Sequence, residues 1–227
     1  MSHVETLTQD FPQGPSVRGF LHRPASLPSA ALALCHGAGG NCRAPLLVVL
    51  AEAFCEAGLA VLRFDLPYRQ AKSFGPPSPG RAATDREGIK RAAEALKGQA
   101  PGRVFLGGIS YGGRQTTMLA ADDSGIADGL LLLSYPLHPP GRPEQLRTAH
   151  LPKLKAPALF VHGTKDPFGA IEEMQAALRL IPAPSALVVL DGVGHDLGYG
   201  RKKSSASSSS LLPQTVLQAF QTLFSTP

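Results

Sequence analysis

Ser110 lies in Gly107-Gly108-Ile109-Ser110-Tyr111-Gly112-Gly113, a Gly-x-Ser-x-Gly arrangement between a predicted strand at 103–106 and a predicted helix. Neighbours without Cβ atoms let strand and helix approach closely, holding the serine on a tight, strained turn. Such a turn lifts the hydroxyl over the strand ends, and the helix N-terminus adds partial positive charge where an oxyanion would form. A serine hydroxyl is a poor nucleophile until a base takes its proton, and the base needs an acid to orient it. Asp166, in His162-Gly163-Thr164-Lys165-Asp166, and His195, in Gly194-His195-Asp196, can fill those roles. Each falls just past the carboxyl end of a predicted strand, on the edge that carries Ser110, and the order Ser–Asp–His suits such a sheet. The short motif also occurs by chance, which leaves Ser110 open as a plain turn residue. Asp166 could instead cap the next helix, with Asp191 or Asp196 orienting His195.

The apolar pattern supplies the elements that must hold these residues. Short runs at Val17–Arg23, Ala31–Cys35, Leu59–Phe64, Arg103–Leu106, Gly129–Leu133, Pro157–Val161 and Ser185–Leu190 read as strands. The first should pair antiparallel with residues near Val4 to Phe11. Between them, Pro45–Glu56 is apolar nearly all round and stops before Gly58. Thr84-Asp85-Arg86-Glu87 has capping-box spacing ahead of Ile89, Ala92, Ala93 and Leu96 at helical intervals. A further helix runs from Ser110 to about Ala121, and Ile171, Met174, Leu178 and Ile181 mark another. Pro143 to Leu154 has room for one short helix, and Pro213 can start a closing helix lined by Val216, Phe220 and Leu223. Strands apolar on both faces and alternating with helices predict an α/β fold, a mostly parallel, doubly wound sheet covered on both sides. No composition shift divides the chain, so 1–227 is expected to be a single domain.

Composition narrows the chemistry. Hydrophobic residues are 43% of 227 and charged residues 17%, which excludes a disordered or charge-driven chain. The net charge of +5 is dispersed, its densest run being Arg201-Lys202-Lys203, and Trp is absent. A solvated surface is therefore expected in place of a nucleic-acid site. Cys35, Cys42 and Cys55 fit no C-x-x-C pattern and suit a reducing cytoplasm. No basic and apolar leader opens the chain, and no run of about 18 apolar residues suggests a membrane span. No phosphate loop or metal-ligand spacing is present, so cofactor independence is expected. His36 and His162, each before a glycine after a strand, read as hydrogen-bonded scaffold. Asp65, Tyr68 and Arg69 come from another strand end and are candidates for shaping the pocket or tying down their loop. His138 is a further pocket candidate, and Arg114 reads as a helix-surface residue. The serine-rich stretch at about 199–210 reads as a flexible loop.

Four motifs in order, His36-Gly37-Ala38-Gly39-Gly40, Gly108-x-Ser110-x-Gly112, His162-Gly163-Thr164-Lys165-Asp166 and Gly194-His195-Asp196, resemble the α/β-hydrolase superfamily from about residue 17 to 225. The chain looks closest to the dienelactone-hydrolase-like branch without a large lid. Phe64–Arg69 and Leu133–Gly141 resemble a subgroup containing testis-expressed hydrolase-like proteins and a subunit of an animal histone-acetyltransferase complex. The resemblance implies an oxyanion hole from the backbone N–H groups of Tyr111 and Ala38, with Gly39 next to it. It also implies a serine hydrolase of a small carboxylic ester or thioester, with Ser110, His195 and Asp166 as nucleophile, base and acid. The complex subunit keeps a second expectation open: a catalytically silent scaffold that binds a protein partner.

Overall fold

The computed structural model describes residues 2–78, 80–200 and 206–224. Its strands are β1 (His3–Gln9), β2 (Val17–Arg23), β3 (Ala30–Cys35), β4 (Leu59–Phe64), β5 (Val104–Ile109), β6 (Gly129–Leu133), β7 (Ala158–Gly163) and β8 (Ser185–Leu190). They form one sheet in the order β1-β2-β4-β3-β5-β6-β7-β8. The β1 and β2 strands pair antiparallel, and β2 is antiparallel to β4. From β4 through β3, β5, β6 and β7 to β8 every pairing is parallel. All carboxyl ends of the parallel strands thus share one edge.

Alternation along the strands separates two cores. In β3, Ala31, Ala33 and Cys35 face one layer, while Leu32 and Leu34 face the other. The small side chains of the first face admit α3 (Ala82–Lys97), through Ile89, Ala92, Ala93 and Leu96, and α4 (Tyr111–Asp122), through Leu119 and Ala120. On this face Met174 and Leu178 bring in α5 (Ile171–Leu178). The second face packs α1 (Pro45–Glu56), through Leu46, Leu47, Leu50 and Phe54, and α6 (Ala206–Phe224), through Val216, Phe220 and Phe224. Phe220 meets both Phe54 and Phe105 edge-on, with ring centroids 5.0 and 4.8 Å apart, a favoured geometry for aromatic pairs. The short α2 (Pro67–Ala71) follows β4 on the functional edge.

Several local expectations are corrected. The β5 strand runs on through Gly107, Gly108 and Ile109, because those residues pair with Leu131, Leu132 and Leu133 of β6. The spacing at Thr84–Glu87 is no capping box: α3 begins at Ala82, and Asp85 is fully buried within it. Between β6 and β7 the structure has only a 3-10 turn at Leu151–Lys153. Pro213 lies inside α6, which begins at Ala206, so residues 206–210 are helical where a flexible loop was expected. The rest of that expected loop at 201–205 lies outside the described residues. No described helix is long and apolar enough to cross a membrane.

Candidate active site

The turn after β5 explains the glycines around Ser110. Ser110 has φ 51° and ψ −113°, a backbone conformation that non-glycine residues seldom adopt. Its own N–H is held by Leu133 O at 2.8 Å, and its carbonyl accepts the Arg114 N–H at 2.9 Å, so the turn is tied to both β6 and α4. A Cβ on Gly112 would stand 2.5 Å from His36 O and 2.6 Å from Cys35 Sγ. One on Gly108 would stand 2.6 Å from that sulfur and 2.9 Å from Gly113 N. Only glycine lets α4 and β3 pass this closely.

Three side chains meet above this turn. His195 Nε2 lies 2.8 Å from Ser110 Oγ, and His195 Nδ1 lies 2.8 Å from Asp166 Oδ2. The second oxygen of Asp166 accepts the Phe168 N–H at 2.9 Å, which fixes the carboxylate plane. Asp166's side chain is fully buried, whereas that of His195 is 27% exposed and reachable by a ligand. Phe168 lies over the imidazole at 4.2 Å between ring centroids, shielding one face of it. The rivals for the acid position lie elsewhere: Asp191 accepts from Thr164 Oγ1, and Asp196 accepts the Gly198 N–H.

The loop after β3 is held from behind. Gly37 O accepts from Tyr68 OH at 3.1 Å, from the Gly40 N–H at 3.0 Å and from His36 Nδ1 at 2.9 Å. In a trans peptide the next N–H points the opposite way, so these bonds turn the Ala38 N–H away from Tyr68. Ala38 O accepts from Tyr68 OH at 2.9 Å, and Gly40 O from Arg69 Nε at 2.7 Å. Tyr111 opens α4, where first-turn N–H groups have no carbonyl partner within the helix. Its phenol donates to Asp85 Oδ2 at 2.7 Å, and Asp85 Oδ1 accepts the Tyr68 N–H at 3.0 Å. One buried carboxylate thereby joins the residue that anchors the loop to the residue that follows Ser110. Burial holds the Asp85 carboxyl above the usual carboxylate range, opposed by the Tyr111 and Tyr68 bonds.

His36 keeps the scaffold role expected of it. Its Nε2 accepts the Leu66 N–H at 3.1 Å, and burial pushes its pKa down, favouring the neutral ring. His162 is fully buried and donates from Nε2 to Gly169 O at 2.8 Å. Cys35, Cys42 and Cys55 are buried and unpaired, and burial raises the Cys35 thiol to about 12, which suits packing more than nucleophilic chemistry.

A cavity of about 390 Å³ opens over Ser110 and His195, walled by Gly37–Gly40, Leu46, Ile109, Phe168 and Tyr199. Ala38 and Gly39 are thus at the pocket. Asp65, Tyr68, Arg69 and His138 are not part of its wall, which corrects their candidacy as pocket residues. Asp65 accepts the Cys42 N–H at 2.7 Å, and Tyr68 and Arg69 spend their donors on the loop carbonyls. His138 pairs with Glu173 at 3.2 Å, although its N–H holds Phe168 O and so helps place that ring. The apolar wall residues Leu46, Ile109 and Phe168 escaped the sequence reading because apolar residues beside strand ends look like core. Asp85 escaped it because a carboxylate in the first turn of a helix reads as a cap. Among the described residues no group of three or more His, Cys, Asp or Glu is placed to hold a metal ion.

Comparison with known proteins agrees with this architecture. A dienelactone hydrolase from Anabaena variabilis superposes with a TM-score of 0.75 at 20% identity, covering 98% of each chain. An α/β serine hydrolase without a lid from Xanthomonas campestris gives 0.71 at 20% identity, over 99% of this chain and 97% of that one. Est1E from Butyrivibrio proteoclasticus with ferulic acid bound gives 0.76 at 20% identity, over 97% and 100%. At these identities the likeness is one of fold. The sequence itself matches the family model described as an alpha/beta hydrolase domain over residues 28–223. With most of its length inside that match, the chain belongs to the α/β-hydrolase family.

Proposed function

We propose that the protein is a serine hydrolase of small carboxylic esters or thioesters working through an acyl-enzyme. The observation that carries this reading is the continuous hydrogen-bond line from Ser110 Oγ through His195 to the buried Asp166, 2.8 Å at each step. Ser110 Oγ attacks the carbonyl while His195 Nε2 takes its proton, and Asp166 steadies the imidazolium at Nδ1. The oxyanion forms against the N–H groups of Ala38 and Tyr111, each worth about 3 kcal/mol of transition-state stabilisation. His195 then returns the proton to the leaving group, and water attacks the acyl-enzyme with the same imidazole as base. No step calls for a cofactor. The three buried, unpaired cysteines suit a reducing compartment such as the cytoplasm. The experiment is hydrolysis of p-nitrophenyl acetate by the wild type beside Ser110→Ala and His195→Ala. Each variant should lose activity to a similar, near-complete extent, since such groups act as a unit. Full activity in Ser110→Ala would remove that residue from the mechanism.

A further inference from the structure

The two oxyanion donors come from elements that the sheet does not hold together. Ala38 belongs to the loop after β3, and Tyr111 opens α4 after β5. The β3 and β5 strands pair only as far as Cys35 with Gly108, so beyond that point no ladder sets the donors' spacing. The loop cannot set it alone. Gly37, Gly39 and Gly40 leave its backbone free to turn, and a Cβ on Gly39 would meet nothing within 4 Å.

The restraint comes from α2. Tyr68 OH lies 3.1 Å from Gly37 O and 2.9 Å from Ala38 O, while Arg69 Nε donates to Gly40 O at 2.7 Å. Tyr68 is fixed in turn. Its ring meets those of His36 and Tyr111 edge-on, with centroids 5.6 and 5.9 Å apart, and its N–H donates to Asp85 Oδ1 at 3.0 Å. The α3 helix comes close enough to supply that carboxylate because Gly88 faces Pro67, where a Cβ would stand 2.5 Å from the ring. Asp85 Oδ2 then accepts the Tyr111 phenol at 2.7 Å. Tyr68 and Asp85 are 3% and 0% exposed, and neither walls the cavity over Ser110. Any effect they have on the reaction must therefore pass through Ala38 and Tyr111.

Resting on the reading of Ser110 as the nucleophile, we propose that Tyr68 and Asp85 are positioning residues, a brace running Ala38–Tyr68–Asp85–Tyr111 that sets the separation of the two oxyanion donors. The triad fixes where the tetrahedral carbon sits, and the brace fixes where its oxygen is received. Donors act on the transition state only if they already stand where that oxygen will be, and a misplacement of about 1 Å can cost on the order of 100-fold in rate.

The test uses the wild type, Tyr68→Phe, Asp85→Ala, Asp85→Asn and Tyr111→Phe, all measured well below their Tm. Turnover of p-nitrophenyl acetate is compared with inhibition by trifluoroacetophenone and by acetophenone. Ser110 Oγ adds to the carbonyl carbon of the first ketone while His195 takes the hydroxyl proton, leaving a hemiketal oxyanion between the donors; the second binds without that addition. In Tyr68→Phe and Asp85→Ala, kcat should fall about 10–100-fold with KM little changed. The inhibition constant of trifluoroacetophenone should weaken by the same factor and that of acetophenone should hold. Asp85→Asn should recover most of the loss, and Tyr111→Phe, which cuts the brace at its other end, should repeat the pattern. A purely structural tie would lower Tm and leave kcat and both inhibition constants as they are, and that result in an active enzyme would overturn the proposal alone. A wild type that neither hydrolyses the ester nor prefers the fluorinated ketone would overturn the reading of Ser110 and the brace with it.

Discussion

Replacing Asp166 by Asn tests the relay at its most buried point. The side chain is fully buried, and its two oxygens have separate duties: Oδ1 accepts the Phe168 N–H at 2.9 Å and Oδ2 faces His195 Nδ1 at 2.8 Å. An asparagine that kept its oxygen on Phe168 would place its NH₂ against Nδ1. The amide can only donate there, so the imidazole must carry its proton on Nε2 and present N–H to Ser110. In that tautomer His195 cannot accept the serine proton. The shape of the site is preserved while its base is disabled, and kcat should fall by roughly 10³–10⁴-fold. Fold integrity is checked by near-UV circular dichroism and kcat by p-nitrophenyl ester turnover, with Asp191→Asn and Asp196→Asn alongside. Those two carboxylates bond Thr164 and Gly198, so their loss should change kcat little. A crippled Asp191→Asn beside an active Asp166→Asn would refute the reasoning.

Three further outcomes are expected. Asp85→Ala strands the Tyr68 N–H and the Tyr111 phenol, each at about 1–3 kcal/mol, so urea titration should show a loss near 3 kcal/mol, largely restored in Asp85→Asn; an unchanged midpoint would deny the carboxylate its linking role. A cavity of about 390 Å³ buries little of a long chain, and full burial is worth only ~0.8 kcal/mol per CH₂; kcat/KM from p-nitrophenyl butyrate to palmitate should stay level or fall, and a steep rise would reveal a tunnel. His22 and His150 are both pushed down to about 4 by burial, so the unfolded chain binds protons first as pH falls below about 6.5; Tm should drop from there to pH 4, and His22→Gln with His150→Gln should flatten that slope, whereas parallel slopes would contradict it.

The parallel sheet was legible because β3, β6 and β7 are continuous apolar runs buried on both faces, and the carboxyl ends of β5, β7 and β8 place Ser110, Asp166 and His195 on one edge. Hydrogen bonds made across the fold were not legible. Tyr68 and Arg69 look like pocket residues at a strand end, yet their donors reach back some thirty positions to the carbonyls of 37–40. Asp85 sits inside the Thr84–Glu87 capping-box spacing with no role of its own there, but three-dimensional packing turns it toward two tyrosines. Arg114 read as a surface residue, and only the structure shows its Nε buried without an acceptor. Periodicity reports which face is apolar. It carries no information about which distant carbonyl a buried donor will find.

The most direct measurement is the mass of the intact protein after exposure to a fluorophosphonate, followed by peptide mapping of the adduct. The wild type should gain one phosphonyl group on Ser110, and His195→Ala should label far more slowly because the hydroxyl keeps its proton. Absence of any adduct, or an adduct on another residue with Ser110 free, would contradict the account and favour a binding scaffold built on this fold.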